Sequence, residues 1–336
     1  MRRYKVLTMV PHFDKVINLF NNIAEVDSIW GKKDTFYTEE ELAEFLPKYD
    51  VCIVWIDPLK GKAIEAGKHL KAIGVPRAGY DNVDVKKATE YKIPVIYSPG
   101  ANSSAVADFT LGLIISLVRG IAQKNYELKK GIFKERWALL EDVGFSLEGK
   151  TLGIIGLGNI GCRVAIRAKA FGMDIIGYDP YIDENTQTPL GLYPSELGIK
   201  LVSLEELLKK ADIVTLHLPI TQETKGLIGE RELSWMKPNS YIVNTSRGGI
   251  IDEKALYKAL KEKRIRGAAL DVFEREPLPP DDPLLKLDNV VVTPHIAWCT
   301  EEAIFRSNYI VAKEIVKILK GEKPSLRNVA NPIVLS

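Results

Sequence analysis

Short apolar runs alternate with amphipathic stretches along most of the chain. In the first third the apolar runs are "YKVLTMV" (4–10), "VCIVWI" (51–56), "LKAIGV" (70–75) and "PVIYS" (94–98), each short enough and β-branched enough to predict a strand. Between them "TEEELAEFLPKY" and "DVKKATEY" carry helical spacing and start at the capping residues Thr38 and Asp84. A second series follows: "TLGIIGL" (151–157), "DIIGYD" (174–179), "DIVTLHL" (212–218), "YIVNTS" (241–246), "GAALDVF" (267–273) and "NVVVTPH" (289–295). Strand–helix alternation on this scale demands a parallel sheet covered by helices on both faces. Two such series predict two doubly wound parallel-sheet α/β domains.

A long apolar helix over roughly 103–130 follows the first series, and another over roughly 301–320 follows the second. The tail "EKPSLRNVANPIVLS" is too short to form a domain and must pack on something already built. The layout expected is therefore discontinuous: residues 1–102 and 299–336 form one domain, and residues 103–298 are inserted as the other.

Bulk properties narrow the function classes. A chain of 336 residues is long for one core, in keeping with two domains. A formal charge of +2 gives no electrostatic reason to expect nucleic acid or an anionic membrane as a partner. No apolar run approaches the ~18–20 residues needed to span a bilayer, and "MRRYKVLTMVPHF" reads as a first strand rather than a secretory signal. Cys52, Cys162 and Cys299 are odd in number and widely spaced, which argues for a reducing, cytoplasmic location and against a disulfide framework or a metal site.

The second series opens with chemistry. "TLGIIGLGNIGCRVAIRAKAFGMDIIGYD" places Gly156, Gly158 and Gly161 in the pattern G-x-G-x-x-G. Glycine triplets alone are weak signals, but this one follows a strand and opens a helix. Asp179 ends the next strand 18 positions after the third glycine. That context is the dinucleotide fingerprint. The first glycine permits the turn, the second lets a pyrophosphate approach the backbone, and the third lets helix and strand pack. The helix start, with Asn159 and Ile160, offers free N–H groups and a positive dipole end. Asp179 would accept from ribose hydroxyls and repel a 2′-phosphate, which favours NAD over NADP.

Three later strands deliver polar groups to the same sheet edge. "YIVNTSRGG" brings Arg247, "GAALDVFEREP" brings Asp271 and Glu276, and "NVVVTPH" brings His295. Each alone has an ordinary explanation as a surface ion pair, a solvated charge or a satisfied strand end. Their convergence reverses that reading. A guanidinium binds a carboxylate or polarised carbonyl through a fork. An imidazole exchanges a proton near neutral pH, and a carboxylate beside it stabilises the imidazolium and fixes the ring. With a nicotinamide the set describes hydride transfer at a carbon bearing a hydroxyl next to a carboxylate.

The chain resembles the D-isomer-specific 2-hydroxyacid dehydrogenase family, which includes glyoxylate and hydroxypyruvate reductases, D-glycerate dehydrogenase and 3-phosphoglycerate dehydrogenase. The resemblance spans about residues 4–330 and rests on "AGYDNVD", "NSSAVADFTLGL", "GLGNIG", "LHLP", "NTSRGG", "ALDVFEREP" and "TPHIAW". It implies a flavodoxin-like substrate domain and a Rossmann NAD-binding domain separated by a cleft. Carried over by motif, Arg247 binds the substrate carboxylate and orients the oxo group, His295 is the acid/base, and Glu276 is its partner. Asp271 matches the ligand of the nicotinamide carboxamide. Pro219 and Thr245 lie in cofactor-contacting loops, and the backbone of Ala78 and Gly79 matches the loop that holds the substrate carboxylate. His12, His69 and His217 match no catalytic position. The resemblance also implies a homodimer built on the 103–150 region.

"HIAW" is most similar to the glycerate dehydrogenase and hydroxypyruvate reductase branch, which points to hydroxypyruvate or glyoxylate as substrate. A lysine of phosphite dehydrogenase is replaced here by Ala78, so phosphite is not expected. Two alternatives stay open: 3-phosphoglycerate dehydrogenase, and an NAD(H)-sensing interaction protein like the corepressors that share this fold. Segment 183–198 and the role of Arg77 are left unassigned.

Overall fold

The computed structural model describes residues 3–132 and 144–335, and the chain divides into two compact units: residues 1–102 with 299–336, and residues 103–298. The first unit is built on an all-parallel sheet of β1 (Tyr4–Thr8), β2 (Ala24–Ser28), β3 (Val51–Ile53), β4 (Ala72–Val75) and β5 (Val95–Tyr97), in the order β2-β1-β3-β4-β5. The inner strands β3 and β4 are buried at every position, as sheets covered on both faces require. The apolar pattern does not predict β2. On this edge strand only Ala24 is buried, so "AEVDS" carries no apolar run.

Local capping follows the sequence closely. Thr38 accepts the Glu41 amide at 3.3 Å and Glu41 returns a carboxylate to the Thr38 amide at 2.7 Å, which starts the helix Glu39–Phe45. Asp84 accepts the Lys87 amide at 2.9 Å and starts Val85–Glu90. The returning helix Glu301–Leu319 packs on β4 and β5. The tail then joins the β5 edge: Ala330 N–H donates to Val95 O at 2.9 Å, and Asn331 Oδ1 accepts Val95 N–H at 2.9 Å.

The second unit holds a seven-stranded parallel sheet in the order β12-β11-β10-β9-β6-β7-β8. Its strands are β6 (Thr151–Ile155), β7 (Asp174–Tyr178), β8 (Ile199–Leu201), β9 (Ile213–Leu216), β10 (Tyr241–Asn244), β11 (Gly267–Leu270) and β12 (Val290–Val292). The edge strand β8, "IKL", again escapes the sequence pattern because it is short and half-solvated. The order reverses at β6, between β7 and β9, so the carboxyl end of β6 is the switch point where ligands bind in such sheets.

The apolar stretch over 103–130 is two helices, Ser103–Val118 and Ile121–Lys129, bent by 64°. Gly120, at φ +61°, makes the break by adopting a left-handed conformation. The first helix is apolar on nearly all sides because it lies between the helix Asn159–Ala170 and strands β10–β12. Residues 133–143 of the expected dimer-forming region lie outside the described residues. Among the described residues no single helix is long and apolar enough to cross a membrane.

Candidate active site

Parallel topology brings the loops that follow β6, β7, β9, β10, β11 and β12 to one edge of the second unit's sheet. The glycine loop follows β6. Gly156 turns at φ +95°, and a Cβ there would lie 2.5 Å from the His217 carbonyl oxygen. A Cβ on Gly161 would strike the Gly156 carbonyl oxygen, so the helix Asn159–Ala170 packs on the loop only because both residues are glycine. At Gly158 an added Cβ would meet nothing within 4 Å, and no side chain caps this helix start. An open, uncapped helix N-terminus fits a pyrophosphate.

Asp179 follows β7 and braces the loop. Its Oδ2 accepts the Leu157 amide at 2.9 Å and its Oδ1 accepts the Tyr181 amide at 3.0 Å. The carboxylate is half-buried at the loop's rim, which is where an adenosine ribose is read in this fold. After β9, His217 is buried with Nε2 3.1 Å from Thr215 Oγ1. Its Nδ1 has no hydrogen-bond partner, and burial pushes its pKa down to about 3. Pro219 is exposed, and its carbonyl accepts Thr224 Oγ1 at 2.6 Å.

After β10, Asn244 shapes the next loop. Its Oδ1 accepts the Ser246 amide at 3.0 Å and the Ser246 hydroxyl at 2.7 Å, while its Nδ2 donates to Arg247 O at 2.9 Å. This is the local side-chain turn that Asn favours. Thr245 Oγ1 lies 2.9 Å from Thr110 Oγ1, which itself donates to Val106 O, so Thr245 is the donor of the pair. Arg247 is half-buried and donates from Nη1 to Ser246 O at 2.8 Å.

The third cluster joins the loops after β11 and β12. His295 Nδ1 donates to Glu276 Oε2 at 2.7 Å, and Glu276 Oε1 accepts the Phe273 amide at 3.0 Å. Burial pushes the Glu276 pKa up. The hydrogen bonds from His295 and Phe273 and the charges of His295 and Arg247 outweigh it, so the carboxyl is held below its ordinary range. His295 Nε2 has no hydrogen-bond partner among the described residues. His295 does not sit on the strand, as the apolar run implied: β12 ends at Val292, and His295 stands three residues later at φ +55°. Asp271 lies wholly buried, its carboxylate facing the 293–297 turn. Among the described residues, no group of three His, Cys, Asp or Glu side chains could hold a metal ion.

In the first unit Ala78 and Gly79 are half-buried in the loop after β4. Arg77 directs Nη1 toward the Trp55 carbonyl at 3.5 Å. Sequence reading missed three supporting residues: Asn244, Thr110 and Thr293. Asn244 is the legible one, because a short amide at a strand end commonly bonds its own backbone. Thr110 and Thr293 act through partners distant in sequence, and no local pattern marks them.

Comparison with known proteins gives concordant results. Residues 111–297 match the family profile described as D-isomer specific 2-hydroxyacid dehydrogenase, NAD binding domain. A D-3-phosphoglycerate dehydrogenase of Methanocaldococcus jannaschii is 46% identical over 95% of this chain, which spans 58% of that relative's length. A glyoxylate reductase of Korarchaeum cryptofilum is 44% identical over 80% of this chain and 79% of its own. Among solved structures, a D-lactate dehydrogenase of Aquifex aeolicus complexed with NAD and lactic acid is 30% identical, with a TM-score of 0.76 over 97% of this chain and 98% of that one.

Proposed function

Because the chain belongs to the D-isomer specific 2-hydroxyacid dehydrogenase family, we propose that it interconverts a small 2-oxoacid and its D-2-hydroxyacid using NAD(H), with hydroxypyruvate or glyoxylate as the oxoacid. The observation that carries this reading is the His295–Glu276 pair at 2.7 Å, with Arg247 near enough to lower the Glu276 pKa. The first unit is the substrate-binding domain and the second binds the cofactor.

The nicotinamide, when bound, supplies or accepts the hydride. Gly156, Gly158, Asn159, Ile160 and Gly161 would hold the dinucleotide's pyrophosphate, Asp179 its adenosine ribose, and Pro219, Thr245 and Asp271 the nicotinamide half. Arg247 binds the substrate carboxylate and polarises the oxo group, with the backbone of Ala78 and Gly79 holding the carboxylate as well. Because Nδ1 of His295 is committed to Glu276, Nε2 gives the proton to the oxygen on reduction and takes it on oxidation. Glu276 stays ionised, fixes the ring's tautomer and orientation, and stabilises the imidazolium.

The choice of an unphosphorylated substrate is supported within the first unit. A hollow of about 280 Å³ lies beyond the carboxyl ends of β2, β1 and β3, lined mostly by the segment that follows β2. Its walls include Trp30 and Tyr37, and the carboxylate of Asp57 lines it, 3% exposed, accepting the Tyr37 amide at 2.9 Å. The Asp57 loop is stitched to the loop just beyond Gly79, since Asn82 Nδ2 donates to Asp57 O at 3.0 Å. A buried carboxylate accepts from a hydroxyl and repels a phosphate, and Lys33, the cation on this wall, is already held by Glu41 at 2.7 and 2.8 Å. The 46% identity to a phosphoglycerate dehydrogenase favours the second reading, a 3-phosphoglycerate dehydrogenase. A homodimer built on 103–150 is consistent with the exposed Ile121, Tyr126 and Leu128 on the helix Ile121–Lys129.

The test is NADH oxidation against hydroxypyruvate, glyoxylate, pyruvate and phosphohydroxypyruvate. The largest kcat/KM should fall on hydroxypyruvate or glyoxylate, and His295→Ala should lower kcat by about 10²–10⁴-fold. Preference for the phosphorylated acid would favour the second reading. NADH binding without turnover of any acid would favour the interaction protein.

A further inference from the structure

Two large aromatic side chains stand in solvent on one short polar loop. The segment between β2 and the helix Glu39–Phe45 carries Trp30, 45% exposed, and Phe36, 55% exposed. With Tyr37 they line the hollow of about 280 Å³ described above, which belongs wholly to the first unit. Its walls are anchored from behind. Trp30 packs edge-on to Trp55 with ring centroids 6.0 Å apart, and Tyr37 packs edge-on to Phe45 at 5.6 Å. The volume is at the small end of ligand pockets, which start at about 300 Å³.

Asp57 gives this hollow a specific chemistry. Its Oδ1 accepts the Tyr37 amide at 2.9 Å, while its Oδ2 has no hydrogen-bond partner among the described residues. A carboxylate withdrawn from water calls for an opposite charge or several donors, and one backbone amide is neither. Asp34 adds a second carboxylate to the wall. Lys33 does not neutralise them, because its ammonium is paired with Glu41. The same ammonium lies 5.4 Å from the centroid of the Tyr37 ring, so one of these rings already carries a cation.

We propose that the hollow is a binding site for a small primary amine in its ammonium form, which donates to Asp57 Oδ2 and lays its alkyl stem against Trp30 and Phe36. Aromatic faces attract a cation through the ring quadrupole. A hydrogen bond from an ammonium to a carboxylate is roughly twice as strong as a neutral one. A ligand carboxylate would meet Asp34 and Asp57 as like charges, so the site selects amines over amino acids. Binding there needs neither cofactor nor turnover.

The probe is n-propylammonium chloride, titrated into the full chain by calorimetry and tryptophan fluorescence, with propionate and β-alanine as charge controls. Propylammonium should bind with a Kd of about 1 mM or tighter, and each control about tenfold more weakly or worse. Asp57→Asn keeps an acceptor for the Tyr37 amide and should weaken propylammonium about tenfold or more. Trp30→Ala, at an exposed position, should weaken it severalfold and keeps the test decisive if Asp57→Asn does not fold. Absence of binding, an affinity unchanged in both variants, or propionate binding more tightly than propylammonium would each overturn the proposal. Inhibition separates this site from the reading of the substrate. A rise in KM for hydroxypyruvate, but not for glyoxylate, which has no hydroxyl to compete for Asp57, would uphold both. Propylammonium binding that leaves both KM values unchanged would uphold the amine site and count against the hollow's part in choosing the oxoacid.

Discussion

Lowering the pH from 7 to 5 should destabilise the protein through His217. That imidazole is buried at the end of β9, its Nδ1 has no hydrogen-bond partner, and burial pushes its pKa down to about 3. In the unfolded chain the same ring titrates near its ordinary value of about 6.5. Between those two values the unfolded state binds a proton that the folded state does not. Stability therefore rises with pH across that window and is lost as pH falls below about 6.5. Each pH unit corresponds to about 1.4 kcal/mol, so at pH 5, ~1.5 units below the unfolded value, the loss is about 2 kcal/mol. For a folding unit of this size that corresponds to about 4–8 °C in Tm. The assay is thermal unfolding at pH 7 and pH 5 of the wild type and of His217→Gln, which keeps a neutral polar side chain but cannot take up a proton. Comparing the two pH-induced losses cancels the carboxylates and the exposed histidines, and the variant should lose about 4–8 °C less. Equal losses would refute the reasoning, because they would mean that folding does not hold His217 neutral.

Asp179→Ala should reduce the preference for NADH over NADPH, read as the ratio of kcat/KM values, by about tenfold or more, since removing the anion also removes its repulsion of a 2′-phosphate. An unchanged ratio would assign the ribose to another residue. Arg247→Lys should lower kcat/KM for the oxoacid by about 10–100-fold, because an ammonium cannot reproduce the guanidinium fork. Wild-type steady-state kinetics in this variant would remove Arg247 from the site.

Much of the architecture is legible because the sheets are buried on both faces. Such strands read as apolar runs, and their order alternates with amphipathic helices. What escapes the pattern escapes it for physical reasons. The edge strands β2 and β8 are half-solvated, so "AEVDS" and "IKL" have no apolar signature. The break at Gly120 is hidden because a lone glycine in an apolar helical pattern does not announce whether it will turn left-handed. Chemistry is legible where the residue type itself carries it, as with the glycine triplet, Arg247, Glu276 and His295. The pairing of Thr110 with Thr245 depends on bringing together positions 135 residues apart, and nothing local encodes it.

The direction in which a polar side chain points is the hardest thing to read, and in this chain it matters most. Three strand ends carry a short polar side chain that hydrogen-bonds neighbouring backbone. Asp179 braces the glycine loop, Asn244 shapes the Arg247 loop, and Asp271 holds the His295 turn. Short side chains suit this work because they lose little rotamer freedom and reach only the adjacent loop. The side chains on the loops so braced, Arg247 and His295, extend from backbone that is already fixed. Preorganised groups of this kind need no rearrangement as charge develops, which is where most electrostatic catalysis comes from. A substitution at a brace should therefore harm the reaction through a residue it never replaces. Asp and Asn are unequal there despite their shape, since one swap turns an acceptor toward an amide that also donates.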